Sequence, residues 1–115
     1  MTDTAQTPSH ALGAGLDLES LNLMLEALGD FVDAALSPEL QLDLDHEDRC
    51  PEDIVRSMSD PEQLGVQLVF IPEAYDGMDG GAFDAYRVCE VMARKDIGLA
   101  TAVFATFLGS DPIVV

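Results

Sequence analysis

The chain has 115 residues, of which 22 are Asp or Glu and only 5 are Lys or Arg, so its formal net charge is -17. A chain of this length forms one domain at most, and a hydrophobic fraction of 48% is ample for a core. The shortage of cations argues against nucleic acid and anionic membranes as partners, because binding phosphates needs clustered positive charge.

The cysteines and the apolar runs indicate the cellular compartment and whether the chain could span a membrane. Cys50 and Cys89 do not make a disulfide framework, and residues 1–15 have neither a secretory signal nor an Arg-rich transit pattern. We therefore expect a reducing, cytoplasmic location. The longest uncharged run, between Asp96 and Asp111, is shorter than the roughly 20 residues of a membrane span, so no span is predicted.

The N-terminal part of the chain divides into a tail and a helix. Residues 1–15 are small and polar and are predicted to be a flexible tail, with the domain at residues 16–115. Asp17 is a suitable N-cap, and Pro38 ends or kinks the helix that follows. The apolar stripe of this helix has a period of 3.6 and consists of Leu21, Met24, Leu25, Leu28, Phe31, Val32, Ala35 and Leu36.

The next segment is harder to assign. Residues 39–49 are acidic and alternate between apolar and polar side chains, which suggests a strand without an obvious partner. Pro51 is well placed as the first residue of a helix over residues 51–58. Pro61 then predicts a break or a short 3₁₀ turn at residues 60–61.

The second half of the chain has the clearest patterns. An apolar run at residues 66–71 is followed by a glycine-rich turn at residues 75–81 and an amphipathic helix at residues 82–95. In this helix Cys89 lies on the apolar arc with Ala85, Val88, Met92 and Ala93, and is expected to be buried; Asp84, Arg87, Glu90, Arg94 and Lys95 form the polar arc.

Residues 97–110 carry no charge, which predicts a helix buried on all sides at the centre of the domain. Asp111 and Pro112 are then typical of the cap and first residue of another helix, whose stripe begins at residues 113–115. A helix signal at the end of the chain suggests a polypeptide truncated there, or one part of a larger protein.

Neither a calcium loop nor a zinc site is predicted, because the candidate ligands do not have the required spacing. Asp43, Asp45 and Glu47 match the start of a calcium loop, but Gly is missing at its sixth position and Glu at its twelfth. His46 and Cys50 lie four residues apart without a second pair nearby, so a zinc site is not predicted.

Phosphate cradles and catalytic bases are also not predicted. The glycines at positions 77, 80 and 81 do not form GxGxxG and have no basic residue among them. Glu73 follows a proline in a turn, and Glu90 lies on the polar arc, so both are expected to be surface carboxylates. We predict no catalytic residue and no metal ligand.

Four sequence pieces, in order, carry a family resemblance. They are the turn IPEAYDG at residues 71–77, the helix end CEVMAR at residues 89–94, the nearly charge-free helix that follows, and the closing LGSDP at residues 108–112. Over residues 16–115, and most clearly from Leu64 onward, the chain resembles the helical N-terminal domain of the flavin-dependent acyl-CoA dehydrogenases. The resemblance implies an all-α fold, a helical bundle. It also favours an extension of the first helix, followed by a loop, over residues 39–49.

The resemblance further implies a function for the intact protein: FAD-dependent α,β-dehydrogenation of an acyl-CoA thioester, as part of fatty acid metabolism. The family's catalytic base and most of its flavin site come from other domains, so this chain is expected to hold neither. Implied partners are the acyl-CoA substrate, an electron-transfer flavoprotein, and further copies in a dimer or tetramer. By the same resemblance, the acyl pocket is lined by Ala100, Thr101, Phe104, Ala105 and Leu108.

Helical spacing alone does not separate a pocket wall from a core wall, although these five residues share one helix face. Two other functions remain open. One is a related acyl-CoA oxidase or flavin monooxygenase. The other is a free-standing acidic helical module that binds a partner through its apolar end.

Overall fold

A computed structural model describes residues 15–114 of the chain. This part contains five α-helices, two short 3₁₀ helices and no strand, which confirms the all-α prediction. The predicted tail falls almost entirely outside the described residues. The helices are α1 (Leu18–Ala35), α2 (Pro38–Glu47), α3 (Glu52–Ser59), α4 (Ala82–Lys95) and α5 (Ile97–Val114), and the 3₁₀ helices are Val66–Phe70 and Glu73–Tyr75.

The core lies where α1 and α5 pack against α4. Helix α4 contacts both of the long helices, while α3 and the first 3₁₀ helix close the core from the side of α5. Full burial of a Leu, Met or Val side chain stabilises the fold by about 1.5–3 kcal/mol. The most deeply buried apolar side chains are Leu21, Leu28, Val32, Met58, Val66, Val69, Val88, Met92, Leu99 and Val103.

Helix α1 begins at the predicted cap. Ser20 donates its backbone N–H to Oδ2 of Asp17 over 3.0 Å, and its hydroxyl bonds the other carboxylate oxygen over 2.7 Å. The helix ends at Ala35, before Pro38, as expected. Its buried residues Leu21, Leu25, Leu28 and Val32 come from the predicted stripe.

Residues 38–47 form a separate helix, so both predictions for this segment were wrong. Leu40 donates its N–H to Oγ of Ser37 over 3.1 Å, and Pro38 occupies the first turn, where a missing N–H costs nothing. This capped start separates α2 from α1 instead of extending it. The alternation that suggested a strand places Leu44 inward and leaves Leu42 exposed.

The break after α3 is confirmed. The helix ends at Ser59, one residue beyond the predicted end, and begins at Glu52, one residue after the predicted start. Residues 61–64 form a turn in which the Asp60 carboxylate accepts the backbone N–H of Glu62 over 2.9 Å. Gly65 follows with a φ of 58°, a backbone conformation that favours glycine.

The predicted turn before α4 is confirmed, and it is tightly folded. A Cβ atom on Gly77 would lie 1.9 Å from the carbonyl oxygen of Ile71, and one on Gly80 would lie 2.4 Å from that of Val69. These glycines allow the chain to return against its own backbone.

The position of Asp84 on the polar arc of α4 predicted an exposed side chain, but Asp84 is buried. Its Oδ2 accepts the N–H of Gly81 over 2.8 Å and that of Leu16 over 2.9 Å, and only 2% of the residue is exposed. The carboxylate therefore caps α4 and ties the chain segment before α1 to it.

Helix α4 has the predicted bounds, but one residue on its apolar arc was assigned wrongly. Val88 and Met92 are fully buried, whereas Cys89 is exposed. Ala85 and Ala93, which flank Cys89 on the arc, are only half-buried, so the buried face of α4 is centred on Val88 and Met92 rather than on the middle of the predicted arc.

The helix boundary predicted at Asp111 was also wrong. Helix α5 continues through Gly109 and Pro112 to Val114 without a new start. Pro112 removes one backbone donor close to the described end of the helix, where few hydrogen bonds depend on it.

Candidate functional site

The candidate site is built on α5, whose orientation is set by the single residue that joins it to α4. Asp96 has extended backbone angles, and its N–H bonds Met92 O over 2.9 Å at the end of α4. Its Oδ1 accepts the N–H of Leu99 over 2.8 Å, which caps the start of α5. One residue thus ends one helix and begins the next.

Helix α2 reaches this joint through Gln41. The Gln41 side-chain amide donates to Lys95 O and to Oδ2 of Asp96, both over 3.0 Å. On the opposite side of the joint, Lys95 forms a 2.7 Å ion pair with Asp33 of α1. The start of α5 is therefore fixed to two other helices by polar contacts.

Helix α5 is buried on one face only, which corrects the expectation that it is buried on all sides. Leu99, Ala100 and Val103 are at most 4% exposed, while Leu108 is 74% exposed. The uncharged composition correctly predicted a helix, but not its burial, because none of the described elements covers its outer side.

The five predicted pocket residues fall on the boundary between these two sides. Ala100 is buried and Phe104 is half-buried, whereas Thr101, Ala105 and Leu108 are exposed. The hydroxyl of Thr101 donates to Ile97 O over 2.8 Å, so its hydrogen bond is made within the helix. The structure brings the five together along one side of α5 and leaves the outer part of that side open.

An aromatic cluster supports the middle of this side. The ring of Phe104 meets that of Phe107 edge to face, with centroids 4.7 Å apart, and Phe107 meets Phe70 in the same way at 4.3 Å. Such pairs stabilise by about 0.5–1.5 kcal/mol beyond their area burial. Sequence reasoning missed Phe70 and Phe107, although Phe107 follows Phe104 at the three-residue spacing of helical neighbours.

A family comparison identifies the domain. The family model described as acyl-CoA dehydrogenase, N-terminal domain, matches residues 8–115. The chain belongs to this family. Comparisons with curated proteins and with solved structures returned no match.

In this acyl-CoA dehydrogenase N-terminal domain, the two candidate carboxylates lie on the surface. Glu90 is held by Arg87 at 3.2 Å and by Arg94 at 3.7 Å. Glu73 is exposed in the second 3₁₀ helix.

Within residues 15–114 no group of three or more His, Cys, Asp and Glu side chains is arranged to hold a metal ion. Asp43, Asp45 and Glu47 belong to α2 and not to a loop, so the calcium-loop geometry is absent from this segment.

The described residues do not fit the diphosphate of FAD. All five Lys and Arg residues of the domain already form ion pairs with its own carboxylates: Arg49, Arg56, Arg87, Arg94 and Lys95. The glycines at positions 77 and 80 lie against backbone carbonyls, so their backbone does not cradle a ligand.

The described residues also form a cleft of about 390 Å³ between α2 and the start of α5, and a second of about 350 Å³ between α2 and the start of α3. The walls of the first cleft include Leu36, Gln41, Leu44, Asp96, Ile97 and Leu99. No helix within residues 15–114 combines the length and apolarity required to cross a membrane.

Proposed function

We propose that the chain acts as the N-terminal domain of a flavin-dependent acyl-CoA dehydrogenase, and that the outer side of α5 is one wall of its acyl pocket. The supporting observation is an exposed side on residues 97–110 of α5, which carry no charge in a chain whose net charge is -17. An acyl chain requires apolar walls without charge, since burying a charge beside it is costly.

The sizes of the side chains suggest how the wall works. Thr101 and Ala105 are small and exposed, which leaves room for methylene groups beside α5. Phe104 is larger, and its contacts with Phe107 and Phe70 restrain the ring. We therefore propose that Phe104 limits the depth of the acyl cavity, with Ala100 and Leu108 on either side of it along the helix.

The rest of the reaction is assigned to other parts of the intact protein. Family membership supports FAD as the cofactor and an acyl-CoA thioester as the substrate, with the base and the flavin site contributed outside the described residues. An electron-transfer flavoprotein as electron acceptor, a dimer or tetramer, and a cytoplasmic location complete the proposal. The two unpaired cysteines fit a reducing compartment.

A small-to-large substitution tests the pocket wall. Ala105→Phe, in the flavin-loaded protein that contains this domain, should shift the kcat/KM optimum toward shorter acyl-CoA substrates. Each excluded methylene corresponds to roughly 1–3 kcal/mol of discrimination. The matched control is Thr106→Phe, which adds a ring at the neighbouring exposed position, on a different side of α5.

Both positions are exposed, so neither variant should change the melting temperature of the domain. An unchanged optimum in Ala105→Phe, or an equal shift in Thr106→Phe, contradicts the pocket assignment. Activity with dioxygen in place of an electron-transfer flavoprotein as acceptor would instead favour the related oxidases.

A further inference from the structure

Helix α2 differs from the other helices in how weakly it is attached. It buries a single residue, Leu44, as α3 does with Met58, but it packs less extensively on the other elements than α3 does, and α1 buries four residues. Among residues 15–114, its side-chain hydrogen bonds to the rest of the fold are the two that Gln41 makes to Lys95 O and Asp96. Elements with few buried contacts open at a lower free energy than the global unfolding of the domain.

The same helix carries a row of like charges. Glu39, Asp43 and Glu47 follow one another at four-residue spacing, and all three are exposed. Like charges at this spacing repel across one turn. Arg49 pairs with Glu47 at 2.9 Å, but both partners are more than half exposed, so the pair offsets little of this repulsion.

The dipole of α2 adds to this destabilisation. Carboxylates in the last turn oppose the partial negative charge at a helix C-terminus, and Asp45, Glu47 and the cap Asp48 all lie there. The four other cations of the chain are committed to pairs on other elements. Relief must therefore come from ions in the solvent.

We propose that α2 is a salt-dependent flap: it stays folded over the joint between α4 and α5 when solvent cations screen its carboxylates, and unfolds locally more often when they do not. Local unfolding opens the cleft of about 390 Å³ beneath it and releases Asp96 from Gln41. When the flap opens, the start of α5 therefore loses the hydrogen bond that links it to α2. This inference is independent of the proposed enzyme function.

Hydrogen exchange of the 115-residue chain tests the flap directly. At pH 8, raising NaCl from 10 to 150 mM shortens the screening length from about 30 Å to about 8 Å. The amides of α2 should exchange about two- to five-fold more slowly in the higher salt, after correction for intrinsic rates, because two repulsive pairs are relieved. The amides of α1 and α4 should change much less.

Charge-matched variants separate a local effect from total charge. Asp43→Asn removes both repulsive pairs and should slow α2 exchange about two- to five-fold at 10 mM NaCl, with little further response to salt. Asp30→Asn on α1 makes the same change in net charge at an exposed site and should leave α2 exchange as in the wild type. Equal effects of the two variants would overturn the proposal.

A third variant tests whether α2 opens independently of the core. Leu44→Ala removes the one buried anchor, so α2 should lose protection at both salt concentrations while α1 and α4 stay protected. Loss of protection throughout the domain would show that α2 belongs to the global folding unit and would reject the flap. Protection of wild-type α2 equal to that of α1 at 10 mM NaCl would reject it as well.

Discussion

At the scale of single residues, the turn before α4 depends on the absence of side chains. Gly77→Ala would place a Cβ atom 1.9 Å from the Ile71 carbonyl oxygen, an overlap with backbone that a rotamer change does not relieve. We expect the free energy of unfolding to fall by at least about 1–3 kcal/mol. Denaturant titration of the purified chain measures this change.

Gly109→Ala is the matched control for that substitution. Gly109 lies within α5, and a Cβ atom there meets nothing within 4 Å. Alanine should stabilise the helix by about 0.5–1 kcal/mol, because glycine loses more backbone entropy on folding. Similar losses in both variants would mean that the close approach at Gly77 is not what the turn requires.

Asp17 gives a prediction about pH. Hydrogen bonds from the Ser20 side chain and backbone lower the pKa of Asp17 below its ordinary value of 3.8. A lowered pKa means that the ionised group stabilises the fold above the unfolded value, and that this contribution is lost as pH falls through the folded pKa.

The melting temperature of Asp17→Ala should therefore lie below that of the wild type between pH 5 and pH 7, and the gap should narrow as pH falls below about 4. Asp30→Ala, on the same helix but without such a cap, supplies the reference. A gap that stays constant into acid would show that the cap does not depend on the carboxylate charge.

At the scale of elements, a helix was predicted correctly where several independent sequence signals agreed. Helix α4 was predicted with its full bounds, because a long amphipathic pattern follows a glycine turn. Helix α2 was missed, because three leucines at alternate positions fit a short strand or a helix equally well. Ser37 followed by Pro38 was the signal that would have decided the matter.

The surroundings of α5 could not be predicted for a different reason. Its composition shows that the helix tolerates apolar neighbours everywhere, but not which side the domain itself covers. Phe104 was assigned to the pocket by resemblance alone, and its contacts with Phe70 and Phe107 depend on a chain reversal about 30 residues long that no local pattern specifies. The assignment of the five pocket residues stays a prediction.

Phe104→Ala separates the two roles of that ring. As the limit of the acyl cavity, its removal should move the kcat/KM optimum of the intact flavoprotein to longer or bulkier acyl-CoA substrates. The loss of stability should be smaller than the about 3–5 kcal/mol of a fully buried ring, because Phe104 is only half-buried in this domain.

An acyl-CoA series measured together with the melting temperature distinguishes the outcomes. A stable variant with an unmoved optimum would reject Phe104 as the limit of the cavity. Phe107→Ala is a useful companion, because it removes the support of the ring without removing the ring itself.

At the scale of the whole molecule, the exposed side of α5 has a consequence in solution. Leu108 is 74% exposed and Ile113 is 82% exposed. Exposed apolar side chains near the end of a helix favour association. We expect the 115-residue chain to self-associate with rising concentration in sedimentation experiments, and Leu108→Glu to weaken that association. A monomer at all concentrations would favour a free-standing module.

The isolated chain is also expected to be colourless. The described residues leave no lysine or arginine free for the FAD diphosphate, since each has a carboxylate partner. A visible spectrum of the purified chain, before and after incubation with FAD and gel filtration, tests this. Stoichiometric flavin absorbance that persists through the column would contradict the assignment of the flavin site to other domains.

Residues 97–110 of α5 carry no charge, so their composition alone does not fix which side of the helix faces the domain. Turned about its own axis, it would present the domain with another set of apolar side chains, and hydrophobicity alone would discriminate poorly between the two arrangements. We infer that Asp96 fixes this rotation instead. Its carboxylate accepts one hydrogen bond from the N–H of Leu99 and another from the side-chain amide of Gln41. A residue outside the proposed acyl pocket would thus determine which side chains line it, and we expect substrate preference to be sensitive to changes made one helix away.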